Sequence, residues 1–105
     1  MPDDLRSALV TTFQAMGAAG LNRGTSGNAS VRLGPDAERD GFLVTPSGRP
    51  VDTLGADDLV LIRQSRFEGA LEPSSEWRLH RDIYAAFPDA GAVLHAHSPF
   101  ATSLA

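Results

Sequence analysis

The chain has 105 residues, 42% apolar and 21% charged, the make-up of one ordinary globular domain with no second domain expected. Thirteen acidic against nine basic residues give a formal net charge of -4, and the basic residues are scattered, which argues against a nucleic-acid partner. There is no cysteine for a disulfide or thiolate metal site, no apolar run near the roughly 20 residues that span a bilayer, and no signal-peptide pattern at Met1-Pro2-Asp3-Asp4, so a cytoplasmic protein without membrane contact is expected.

Asp3 or Asp4 is placed to cap a first helix in which Leu5, Leu9, Phe13 and Met16 recur at helical spacing, with Gly20 as its stop. Such a stripe predicts a helix laid over a sheet. From Gly20 to Ser30 the chain is dense in Gly, Ser, Thr and Asn. A loop of this kind can offer backbone N–H groups to an anion, and it serves equally as a tight helix-to-strand connection; neither the P-loop nor the GxGxxG pattern is present. Strands are predicted over residues 29–33 and 42–45, paired as a hairpin across the charged turn from Gly34 to Asp40. Pro46-Ser47-Gly48-Arg49-Pro50 is a turn whose Ser47 hydroxyl and Gly48 N–H suit either turn geometry or a ligand. Asp57-Asp58 reads as a solvated turn before a buried strand over residues 59–62. Residues 67–73 read as irregular or weakly extended. Ser74 or Ser75 then caps a helix to about Phe87, with Trp77, His80, Ile83, Tyr84 and Phe87 on one stripe.

That helix could carry chemistry. Ser74 and Ser75 at its N-terminus put hydroxyls beside free N–H groups and the positive end of the dipole, which suits a phosphate. Glu76, in the first turn, fits best on the residues alone as a group that steadies the helix start. His80 lies four residues on and could join Glu76 on one ion; beside Trp77 and Tyr84 it fits better as a buried, hydrogen-bonded histidine. In the last stretch, His95 and His97 sit one residue apart on a predicted buried strand, so both project from the face of Val93 while Leu94 and Ala96 take the other. Two such imidazoles can reach one zinc ion at about 2.0–2.1 Å, or they can be unrelated side chains at a strand end. Ser98-Pro99 stops the strand and opens a helix-like segment that runs into Ala105 without a cap, so a truncated chain is expected.

The blocks Gly20-Leu21-Asn22-Arg23-Gly24-Thr25-Ser26-Gly27-Asn28-Ala29-Ser30-Val31-Arg32, Thr45-Pro46-Ser47-Gly48, Glu72-Pro73-Ser74-Ser75-Glu76-Trp77 and His95-Ala96-His97 together resemble the class II aldolase/adducin family in order and spacing. The resemblance covers nearly the whole chain. It implies an α/β fold, an α/β/α sandwich around a mostly antiparallel sheet, with residues 1–105 as the N-terminal part of a longer domain. It implies that Asn28, Ser47, Gly48, Ser74 and Ser75 surround a substrate phosphate, with Gly27 and Thr25 shaping that loop. Glu76 becomes a catalytic acid/base that also touches the resting metal, and His95 and His97 become ligands of Zn2+ or another divalent ion. A third histidine ligand, and a tyrosine that protonates the leaving aldehyde in some members, would fall beyond Ala105. The implied activity is that of an aldehyde-lyase, cleaving a ketose phosphate through a metal-stabilised enediolate in a homotetramer. Sugar-phosphate epimerases and dehydratases share these blocks, and adducin-like members keep the fold as a non-catalytic scaffold. The joint presence of Glu76, His95 and His97 argues against the scaffold.

Overall fold

In the computed structural model, which describes residues 2–19, 27–48 and 53–95, the apolar spacing at the start becomes helix α1, Pro2–Ala18. Proline's fixed φ and missing N–H suit a first helical position, so Asp3 and Asp4 lie inside the helix instead of capping it. Acidic residues still favour that first turn through the helix dipole. Leu9, Phe13 and Met16 are buried as their spacing predicts.

Five short strands follow: β1 (Asn28–Arg32), β2 (Phe42–Val44), β3 (Val60–Arg63), β4 (Arg66–Glu68) and β5 (Ala92–His95). They form one sheet in the order β4-β3-β2-β1-β5, antiparallel at every step. The predicted β1–β2 pairing is present, and the charged turn between them holds a short helix α2 (Ala37–Asp40), started by Asp36 Oδ1, which accepts the N–H groups of Glu38 and Arg39 at 3.1 Å. Gly41 enters β2 at φ +89°, and a Cβ there would stand 2.8 Å from the Ile62 carbonyl oxygen, so this position needs glycine. Asp57 and Asp58 belong to a 3-10 turn, Ala56–Asp58, in which Asp58 accepts the Gly55 N–H at 2.9 Å.

Side chains alternate across the sheet and build two cores. Ala29 and Leu43 point to one face, where they pack with Leu9, Phe13 and Met16 of α1 and with Leu54 and Leu59. Phe42, Val44, Val60, Ile62 and Val93 point to the other, beneath Trp77 and Tyr84 of helix α3 (Trp77–Ala86). The result is the expected three-layer α/β/α sandwich.

Three local expectations change. The stretch expected to be irregular contains β4, reached from β3 through Gln64 and Ser65, both at positive φ (54° and 57°), a handedness that matches strand twist in a tight hairpin. Strand β5 was expected to be buried; among the described residues it pairs with β1 alone, and Ala92 and Leu94 are exposed while Val93 is covered. Phe87 follows the end of α3 and is 62% exposed, so it leaves the buried stripe. No described helix is long and apolar enough to cross a membrane.

Because β2 and β5 both run opposite to β1, the start of β1 and the ends of β2 and β5 share one end of the sheet. The chain leading into α3 is tied there by a bond from the Ser74 N–H to the Thr45 carbonyl, 2.9 Å. The elements bearing the predicted site converge at that end.

Candidate active site

Thr45, buried at the end of β2, anchors two turns. Its N–H donates to the Ala29 carbonyl at 3.0 Å, and its Oγ1 accepts the Ala29 N–H at 3.2 Å. Pro46 then bridges to Pro73, and the Ser47 N–H donates to the Glu72 carbonyl at 2.9 Å. The predicted turn and the predicted helix start therefore lie side by side. Ser47 and Ser75 line one cleft of about 280 Å³ together with Glu72, Trp77 and Arg78, whose guanidinium stacks 4.8 Å from the Trp77 ring. Ser47, Gly48 and Ser75 are exposed, Ser74 is buried, and Gly48 adopts φ +70° with open space around it. Exposed hydroxyls beside the positive end of a helix form a setting that receives anions.

Ser74 does not cap the first residue of α3; it makes the turn before it. Its Oγ accepts the Glu76 N–H at 3.3 Å, and its carbonyl accepts the Trp77 N–H at 3.0 Å. Glu76 occupies the N-cap position and forms no side-chain cap bond, so it does not steady the helix as the residues alone suggested. Its carboxylate reaches β5 instead, with Oε2 2.5 Å from His95 Nδ1. Both side chains are about one-third exposed, 36% for Glu76 and 32% for His95, while the Nδ1 that meets Glu76 is itself buried. An imidazole and a carboxylate in contact are a nitrogen–oxygen donor pair of the kind that divalent zinc accepts. His97 and Thr25 lie outside the described residues, among which no three metal-ligating side chains gather.

His80 turns away from this pair. It is fully buried, with Nδ1 2.6 Å from Ser30 Oγ and Nε2 bonded to Asn28 Oδ1, while Ser30 Oγ lies 2.7 Å from the Tyr84 hydroxyl. With both ring nitrogens engaged, His80 is the buried, hydrogen-bonded histidine and not a metal ligand. Burial, reinforced by His95 and opposed by Glu76, pushes its pKa from 6.5 down to about 4. Burial likewise raises the Tyr84 hydroxyl, against the pull of the Ser30 hydrogen bond, the Arg32 charge and the Val93 backbone. Ser30 and Tyr84 were not read as site residues from the sequence. The usable signal was strand alternation, which puts Ser30 on the face of Asn28, and helical spacing, which puts Tyr84 one turn from His80.

The His80 shift predicts a pH dependence of stability. Folding holds the ring neutral, so its contribution is complete above pH 6.5 and is lost as pH falls from there through about 4, the unfolded chain binding the proton first. The loss attributable to this residue is on the order of 3 kcal/mol. Urea titrations across that range should show it, and His80→Gln should remove that part of the slope.

A family model described as Class II Aldolase and Adducin N-terminal domain matches residues 7–105. The 5-methylthioribulose-1-phosphate/5-deoxyribulose-1-phosphate aldolase of Rhodospirillum rubrum is 47% identical over 102 residues, covering 96% of this chain and 44% of that protein. The L-fuculose phosphate aldolase of Escherichia coli K12 is 40% identical over 101 residues, covering 95% of this chain and 45% of that protein. The crystal structure of L-fuculose-1-phosphate aldolase from Thermus thermophilus superimposes with a TM-score of 0.79 at 32% identity, over 99% of this chain and 52% of that one. The chain thus spans about half the length of the relatives it matches.

Proposed function

The chain belongs to the class II aldolase and adducin family, its residues 7–105 matching the N-terminal domain of that family, and from this premise we propose that it carries the proton-transfer, metal-facing and phosphate-facing parts of a metal-dependent lyase cleaving a ketose 1-phosphate. The observation that carries the reading is the contact of Glu76 with His95 at 2.5 Å, beside the exposed Ser75 at the start of α3. A scaffold domain has no use for that pair. The related aldolases of 5-methylthioribulose 1-phosphate and L-fuculose phosphate support the substrate class.

Zinc suits the donor set, since the chain has no cysteine and offers His95, His97 and Glu76 as nitrogen and oxygen donors. A divalent ion held there supplies a Lewis acid for substrate oxygens. The remaining work falls to the protein. Ser47, Gly48, Ser74, Ser75 and Asn28 bind the phosphate and fix the reacting carbons beside β5. As the bond between C3 and C4 breaks, the C4 hydroxyl must lose its proton and become an aldehyde, and the enediolate left on the phosphate-bearing fragment must gain a proton at carbon. Glu76 exchanges these protons, its carboxylate standing at the open end of the sheet. The homotetrameric, cytoplasmic enzyme implied by the family resemblance, with residues 1–105 as its N-terminal part, belongs to the same proposal.

The test is incubation of the full-length enzyme of which residues 1–105 are the N-terminal part, with Zn2+ and either L-fuculose 1-phosphate or 5-methylthioribulose 1-phosphate, reading dihydroxyacetone phosphate with a coupled reductase. Release of that product is expected. A substrate returned unchanged, epimerised or dehydrated, with no dihydroxyacetone phosphate formed, would contradict the aldolase reading.

A further inference from the structure

The reading above uses Asn28 and leaves unused the three polar side chains linked to it beneath α3. Asn28, Ser30, His80 and Tyr84 are all buried, and they form one continuous series of hydrogen bonds. The direction of each bond follows from the donors and acceptors available. Asn28 Oδ1 has no proton to give, so His80 Nε2–H donates to it. Neither neighbour of the ring is charged, and a neutral imidazole carries a single ring proton, so Nδ1 accepts and the Ser30 hydroxyl donates to it across 2.6 Å. Ser30 then has no proton left, so the Tyr84 hydroxyl donates to Ser30 Oγ across 2.7 Å. All three protons point from Tyr84 toward Asn28.

We propose that this one-way chain makes His80 a positioning residue: it holds the Asn28 carboxamide oxygen beneath α3, so that the NH2 group is all the carboxamide can present to a substrate, as a donor to its phosphate. The oxygen and nitrogen of a carboxamide diverge from one carbon, so fixing the oxygen on His80 directs the nitrogen away from it. A flipped Asn28 would turn a carbonyl oxygen toward an anion and repel it. The chain therefore selects the orientation that binds. The inference deepens the reading of Asn28 as a phosphate contact and rests on that reading. The preceding residue, Gly27 at φ +84°, lets the backbone turn sharply as it enters β1 at Asn28.

The experiment is nitrogen-15 NMR of the full chain at neutral pH, with inorganic phosphate as the probe. His80 should show the Nε2–H tautomer, and the Asn28 side-chain NH2 resonances should shift as phosphate is added. The Nδ1–H tautomer would reverse every bond in the series and overturn the proposal. Ser30→Ala removes the donor to Nδ1; it should let both tautomers coexist and weaken phosphate binding by about fivefold. Tyr84→Phe loses a hydroxyl and keeps the ring, so it serves if Ser30→Ala fails to fold, with a loss of about twofold expected. Unchanged phosphate affinity in a folded variant whose tautomers have mixed would overturn the positioning role alone. Failure of the unsubstituted chain to bind phosphate, with the Nε2–H tautomer in place, would overturn the phosphate reading and this inference with it.

Discussion

Glu76→Gln should lower cleavage of a ketose 1-phosphate by roughly 10²–10⁴-fold while leaving the chain folded. The substitution keeps the size and reach of the side chain and removes its capacity to take and return a proton. It costs little stability, because the side chain at this N-cap position makes no cap bond, its contact with His95 is one-third exposed and worth about 0–1 kcal/mol, and Ser74 already accepts the Glu76 N–H at 3.3 Å. The affinity for inorganic phosphate should hold, since no phosphate-facing group is altered. Turnover measured at saturating substrate, alongside phosphate titration, separates the two effects. A variant whose turnover stays within about threefold of the parent would remove Glu76 from the proton-transfer role.

Phe42→Ala is expected to cost about 3–5 kcal/mol, a large share of the roughly 5–15 kcal/mol that holds a domain folded. Phe42 is 2% exposed on the middle strand of the sheet, with Arg32 opposite on β1 and Ile62 opposite on β3. Its ring lies 5.1 Å from that of Tyr84, so truncation opens a cavity directly against the residue that starts the hydrogen-bond series to Asn28. The loss should therefore appear twice: as a lower urea midpoint, and as weakened phosphate binding in the fraction that remains folded. A midpoint change worth under about 1 kcal/mol would mean that the core beneath α3 closes over the gap.

The parts of the fold legible in the sequence are those whose signal is local. Leu9, Phe13 and Met16 announce α1 because helical periodicity needs no distant partner, and the alternation from Ala29 to Leu33 and the apolar runs around residues 42–45 and 59–62 announce β1, β2 and β3 for the same reason. Strand β4 gives no such signal. All three of its residues are exposed, so no pattern of burial marks them, and its hairpin turn uses Gln64 and Ser65 where glycine or asparagine would have flagged the positive φ. The site divides along the same line. The serine pair and the turn at Ser47 and Gly48 are visible as composition, and family resemblance assigns them a phosphate. The contact of Glu76 with His95 joins residues nineteen positions apart through a helix and a strand, and Ser30 meets His80 fifty positions away. Helix propensity alone keeps Glu76 at work on its own helix; in the tertiary fold its carboxylate meets His95 instead, and Ser74 accepts the Glu76 N–H in the turn before the helix.

The measurement closest to the central claim is the metal content of the chain purified without chelator, set against a His95→Ala/His97→Ala double variant. The account predicts about one zinc ion per chain in the parent and none in the variant, each still folded by far-UV circular dichroism. Metal-free parent protein after exposure to zinc, or equal zinc in parent and variant, would contradict a divalent-ion centre at the His95 end of β5.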